Sequence, residues 1–185
     1  MSTSVAQSLW RKAPSIRYRC GSCSKLHQGL PELTFSSPHP YARLPEAERA
    51  ARARLGSDLC VIDETRFFLR AVLQLPIAGY DDRFGFGVWA EVGATDFRTY
   101  FQNFDNTRNS HLGPFEGKLA NALPGFPETG GLNCEVHLQD GGRRPVLALG
   151  PASHPLSVAH VEGLAIDRAI EIVRDSRIGA FVVIG

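Results

Sequence analysis

Two cysteines separated by two residues, Cys20-Gly-Ser-Cys23, with His27 four residues further on, form the densest chemistry in the chain. A Cys-x-x-Cys turn can present both thiolates to one metal ion, and Gly21 and Ser22 suit the tight backbone this needs. Zn²⁺ takes four tetrahedral ligands and favours thiolate and imidazole, so Cys20, Cys23 and His27 offer three. A fourth must come from further away, because the next His or Cys is His39. Cys60 is the first choice, at the start of the apolar run Leu59-Cys-Val-Ile62; Cys134 is the second, although it reads more simply as a small buried hydrophobe, and His39 the third. Four protein ligands would make a closed, structural site. Three would leave room for a water that the metal activates as a nucleophile, with Glu32 or Asp58 as its base. A redox Cys-x-x-Cys belongs at a helix N-terminus, where the dipole lowers the thiol pKa. Here Pro31 and an extended stretch, Glu32-Leu-Thr-Phe35, follow instead.

Other polar residues carry weaker patterns. His154 and His160 flank a helix start, but the pair lacks the i, i+4 spacing of a zinc protease, and helix capping accounts for His154. Glu135 and His137 share one face of a strand by period two and would make a surface acid–base pair. Asp58, Asp63 and Glu64 surround Cys60, with turn chemistry an equal explanation for Asp63. Gly85 and Gly87 leave one face of a strand bare for close packing. The chain contains no phosphate-binding glycine loop and no Gly-x-Ser-x-Gly elbow.

The elements that must hold these residues follow from periodicity. Residues 1–15 read as a flexible tail, in which Trp10 could dock. Ile16–Cys20 and Glu32–Phe35 read as short strands. Pro45–Arg54 reads as a helix, with Glu46 and Glu48 in its first turn and Gly56 beyond its end. Leu59–Ile62, Phe67–Leu75 and Phe84–Val92 read as three strands, joined by connections short enough to require antiparallel pairing. Thr95–Phe104 reads as a helix capped by Thr95, whose Phe97, Tyr100, Phe101 and Phe104 make a stripe expected in the core. After a polar loop over 106–114 comes Phe115–Leu123, strand or helix with strand favoured, and then strands at Leu132–Gln139 and Arg144–Leu149, joined at Asp140-Gly-Gly142. A long amphipathic helix is expected over Leu156–Val173, with Gly163 marking a bend or a close contact, and then a short strand or an ordered tail at Phe181–Ile184.

Bulk properties narrow the function classes. The chain has 185 residues, 43% hydrophobic and 21% charged, with a net charge of +1. That is ordinary for one globular domain and gives no electrostatic case for nucleic acid or an anionic membrane surface. No apolar run approaches the ~20 residues of a membrane span. The N-terminus lacks the basic head and apolar stretch of a signal peptide, so a cytoplasmic protein with reduced thiols is expected.

Six stretches in order carry a resemblance: Cys20-x-x-Cys23 with His27-x-Gly-Leu-Pro31; Asp58-Leu-Cys-Val-Ile-Asp63; Phe86-Gly-Val-Trp89; Leu123-Pro-Gly-Phe-Pro127; Arg144-Pro-Val-Leu-Ala-Leu149; and His154-Pro-Leu156. Together they resemble an uncharacterised bacterial family, a domain of unknown function of the DUF2199 type, from about Tyr18 to Leu164. The resemblance implies a soluble bacterial protein, draws Cys20, Cys23, His27 and Cys60 together, and supplies no activity. The sequence thus leads to an α+β fold: a single domain over 16–185, with an antiparallel β-sheet, helices packed on one face and a zinc-knuckle-like loop at its N-terminus. The expected function is a binding or interaction module stabilised by structural Zn²⁺ on Cys20, Cys23, His27 and Cys60. Its partner would be a protein or small molecule, bound through loops near Trp89, Phe126 and His154. A zinc-dependent hydrolase is the alternative, and a thiol redox protein the third.

Overall fold

The computed structural model describes residues 17–20, 23–151, 153–176 and 181–184. The expected tail, the docking of Trp10 and the turn at Gly21 and Ser22 lie outside the described residues. In chain order the elements are β1 (Arg17–Cys20), β2 (Leu26–Gln28), β3 (Leu33–Thr34), α1 (His39–Ala42), α2 (Glu46–Arg52), β4 (Ala53–Leu55), β5 (Leu59–Ile62) and β6 (Arg66–Pro76). There follow β7 (Arg83–Val92), α3 (Ala94–Gln102), β8 (Phe115–Leu119), β9 (Asn133–His137), β10 (Val146–Leu149), α4 (Pro155–Glu162), α5 (Ile166–Asp175) and β11 (Phe181–Ile184). The chain forms two compact units. One holds the N-terminal residues to Leu33, Gln74–Gly85 and the residues from Pro151 on; the other holds Thr34–Leu73 and Phe86–Gly150.

The second unit is built on a sheet that closes. Its strands run β3-β7-β8-β9-β10-β6-β5-β4, and β7 also pairs with β6, so β6, β7, β8, β9 and β10 form a ring. The length of β6 makes this possible. Its eleven residues serve two partners along one edge: Arg66–Leu69 pair with β5, and Val72 pairs with Val146 of β10. The Arg70 N–H donates to Asp58 O at 2.9 Å and the Val72 N–H to Pro145 O at 2.8 Å. Backbone N–H groups two residues apart point to the same edge of a strand, which leaves the other edge of β6 for β7. The expected antiparallel sheet with helices on one face is therefore corrected. The sheet is a closed five-stranded barrel with three appended strands, and its β10–β6 pairing is parallel. Closure removes the free edges that an open sheet exposes.

Burial alternates as the ring demands. Leu69, Ala71, Leu73 and Leu75 on β6, and Phe84, Phe86, Val88 and Ala90 on β7, are all sealed from water. Residues of the opposite parity, Phe68 and Trp89, are equally sealed, in a second apolar cluster with Ala53, Cys60, Ile62 and Ala120. Both strands are thus covered on both faces along this stretch. The β5–β6 hairpin turns through Asp63 and Glu64, both at positive φ (52° and 55°), the geometry of a type I′ turn. The Asp63 carboxylate accepts from Arg52 at 2.8 and 2.6 Å, anchoring that turn to the end of α2. The last residues of the expected helix over 45–54 instead enter β4, where Ala53 pairs with Ile62. The aromatic stripe of α3 divides: Tyr100 is buried and Phe97 meets Phe67, while Phe101 and Phe104 are exposed, at 62% and 41%. Gly93, with no side-chain cap, precedes this helix in place of Thr95.

In the first unit, β1 pairs with β2 and β11 in a small antiparallel sheet. The long helix expected over Leu156–Val173 is two helices. Gly163 lies between them at φ 94°, and a Cβ there would meet Ala78 N at 3.2 Å and Pro76 O at 3.3 Å. The Leu164 N–H donates to Pro76 O and the Ala78 N–H to Leu164 O, so the break makes a short strand-like bridge. Only a residue without Cβ fits both that φ and that approach.

Candidate metal centre

The hairpin of β1 and β2 places its chemistry by register. Tyr18 pairs with His27 and Arg19 with Leu26, so the loop between the strands spans only the residues that follow Cys20 and precede Leu26. Inside it the Ser24 N–H donates to Cys20 O at 2.8 Å and the Cys20 N–H to Lys25 O at 3.0 Å. Ser24 takes a positive φ of 56°, and its carbonyl accepts from the Arg19 guanidinium. These bonds fold the chain back so that Cys20 and Cys23 face one point. His27 approaches from the opposite strand, its ring stacked on Tyr18 with centroids 5.2 Å apart and planes 17° from parallel. His27 Nε2 lies 3.1 Å from Cys23 Sγ.

The ligand atoms of Cys20, Cys23 and His27 all lie within 4.8 Å of one another, the one group of its kind among the described residues. Tetrahedral Zn²⁺ with Zn–S bonds of about 2.3 Å sets its sulfurs about 3.8 Å apart, within reach by small side-chain rotations. Burial pushes the Tyr18 phenol up, and the nearby Cys20, Cys23 and Glu32 push it the same way. Glu32 extends over the bare backbone of Gly85, where an added Cβ would come within 3.2 Å of its Cγ.

The remaining sequence-predicted ligands do not join the group. Cys60 is fully buried among Ala53, Ile62, Phe68, Trp89 and Ala120, where loss of water pushes its thiol up to about 11. Cys134 is buried on β9 and its thiol is pushed up to about 12 by the same cause. His39 opens α1, its N–H donating to Ala120 O. His154 caps α4, its Nδ1 accepting from the Leu156 N–H at 3.1 Å, as helix capping predicts. His137 and Glu135 do meet, at 3.0 Å, as an exposed pair. Burial would raise the Asp58 carboxyl, but hydrogen bonds from Arg144 and Ser57 and the charges of Arg144 and Arg70 hold it below the ordinary range. An acid held that low is a poor base. Trp89 is sealed in the core, its N–H donating to Asn121 Oδ1 and its Nε1–H to Phe35 O, so it offers no binding surface. Among the described residues, neither thiol of this hairpin stands at a helix N-terminus.

These residues define a mixed α and β protein with a small closed barrel and a Cys-Cys-His hairpin. The chain belongs to the DUF2199 family, described as an uncharacterized protein conserved in bacteria, whose model matches residues 19–164. No curated protein and no solved structure matches the chain. Among the described residues, no helix is long and apolar enough to cross a membrane.

Proposed function

We propose that the β1–β2 hairpin binds Zn²⁺ through the thiolates of Cys20 and Cys23 and the imidazole of His27, and that the protein is a metal-stabilised binding module. The observation that carries this reading is the convergence of three soft ligand atoms within 4.8 Å. The hairpin has a use for such a clip. No side chain of β1 or β2 is buried, so apolar burial contributes little there and a metal would supply the missing cross-link. Cys60 is left out of the ligand set, because an apolar cluster disfavours the thiolate that a metal needs. Thiolate ligands persist in a reducing compartment, and on that ground we place the protein in the cytoplasm. A protein or small molecule, not nucleic acid or membrane, is the partner this reading carries.

With three protein ligands the fourth position is open to a group from outside. This favours, as a second reading, a zinc-dependent hydrolase in which the metal supplies an activated water and Glu32 the base. Cobalt substitution tests both readings. Co²⁺ loaded into the purified protein should show thiolate charge-transfer bands and intense tetrahedral d–d bands, both lost in Cys23→Ser. Azide should then shift the d–d bands, because the fourth position is open. Absence of cobalt binding would end the metal reading. A spectrum unmoved by azide would remove the hydrolase and point to a closed site.

A further inference from the structure

The four cysteines fall into two environments. Cys60 and Cys134 are buried in the barrel unit, where loss of water pushes their thiols up to about 11 and about 12. A thiol reacts with an oxidant through its thiolate and needs an open approach, so both are inert. Cys23 is exposed and Cys20 half-buried, and both belong to the β1–β2 hairpin. Their ligand atoms lie within 4.8 Å of each other and of His27, and Cys23 Sγ stands 3.1 Å from His27 Nε2. An oxidant arriving from solvent therefore meets Cys23 first, with Cys20 beside it as the resolving thiol.

A metal and a disulfide would tie different parts of this hairpin. Cys20 ends β1, Cys23 lies in the loop, and His27 sits on β2 opposite Tyr18. A metal on all three links the two strands. A bond between Cys20 and Cys23 links β1 only to its own loop and removes the side-chain tie to β2. That tie matters, because β2 has three residues, none of them buried, and its Leu26 is 47% exposed. The ladder to β1 and the stack of His27 on Tyr18 would remain.

We propose that the hairpin is a redox-controlled metal clip, in which hydrogen peroxide converts Cys20 and Cys23 to a disulfide, expels the metal and releases the side-chain tie to β2. The proposal rests on the metal reading of these three residues. The Cys23 thiolate attacks one peroxide oxygen; an S–O bond forms, the O–O bond breaks and hydroxide leaves. The Cys20 thiolate attacks that sulfur; the S–S bond forms, the S–O bond breaks and a second hydroxide leaves. The two thiolates lose two electrons and one peroxide molecule gains them. The metal then keeps His27 alone, too few ligands to hold Zn²⁺ against water. A dithiol reductant reverses the step.

Treatment of the zinc-loaded protein with hydrogen peroxide tests it. A metallochromic chelator, at a level that leaves zinc in the untreated protein, reads release, and peptide mass spectrometry reads the thiols. About one zinc ion per chain should be released in step with a Cys20–Cys23 disulfide, about 2 Da lighter than the dithiol. Hydrogen exchange at the β2 amides should speed up about tenfold while the amides of β6 and β7 keep their protection. Dithiothreitol with added Zn²⁺ should restore both. Cys60→Ser and Cys134→Ser should release zinc at the parent rate. If either variant fails to fold, the parent decides the same point, because Cys60 and Cys134 should stay reduced in it. Zinc kept through peroxide treatment would overturn the switch and leave the metal site standing. Zinc lost with Cys23 at the sulfinic stage, or with a disulfide to Cys60 or Cys134, would also overturn it. A protein that takes up no zinc would end the metal reading and the switch together.

Discussion

No side chain on β1 or β2 is buried, whereas β6 and β7 hold Phe68, Leu69, Phe86, Val88 and Trp89 wholly out of water. The barrel has non-local apolar contacts to spare, and its ring leaves β6 through β10 without an open edge. The hairpin has two short strands, a stacked Tyr18–His27 pair and three clustered ligand atoms. Regions of one chain can therefore be held by different forces. Where the core is large, a cysteine such as Cys60 acts as a small apolar side chain; where burial is thin, Cys20 and Cys23 are available as ligands.

The sharpest way to break this contrast is to damage the barrel core. Phe68→Ala, in the cluster with Cys60 and Trp89, should cost about 3–5 kcal/mol of unfolding free energy in urea while leaving metal content unchanged. A loss of under about 1 kcal/mol would mean that this cluster does not carry the barrel unit.

What the sequence makes legible is local, and what it hides is not. β5, β6 and β7 are readable because alternation and turn residues lie within a few positions of each other, and the ends of β5 agree with the structure. The approach of Cys20, Cys23 and His27 is equally local, set by one turn and one register. Closure of the barrel depends on β10 reaching the far half of one edge of β6, a pairing of Val146 with Val72 that leaves no mark on either segment's pattern. The break at Gly163 is hidden because helical periodicity runs through it; only the contact with Ala78 reveals the need for bare backbone. Cys60 reads as a ligand from its place at the start of an apolar run, yet its side chain lies in an apolar cluster. Asn109 meets Asp140 across 31 positions, between two segments readable only as a polar loop and a turn.

The smaller expected effect is on pH dependence, and it also separates the two regions. His160, in the hairpin's unit, is held neutral by burial and by the charge of Arg83, so its folded pKa lies below the ordinary 6.5. The unfolded chain then binds its proton first, and stability falls as pH drops through 6.5 towards the folded value. Asp58, Asp63 and Asp140 in the barrel unit have lowered pKa values, so their contribution is intact above the ordinary 3.8 and is lost only below it. Thermal unfolding at pH 7.5, 5.5 and 3.0 (about half a unit of precision is enough) should therefore show two separate losses. His160→Gln should reduce the first loss and spare the second; an equal fall between the two higher pH values in both proteins would contradict the assignment.

The central claim is that Cys20, Cys23 and His27 hold a metal and that Cys60 does not. Elemental analysis of the purified, untagged protein and of Cys20→Ser and Cys60→Ser tests it most directly. The account predicts about one zinc ion per chain in the parent protein and in Cys60→Ser, and none in Cys20→Ser. Zinc lost from Cys60→Ser in a sample that remains folded, or no metal in the parent protein, would contradict it.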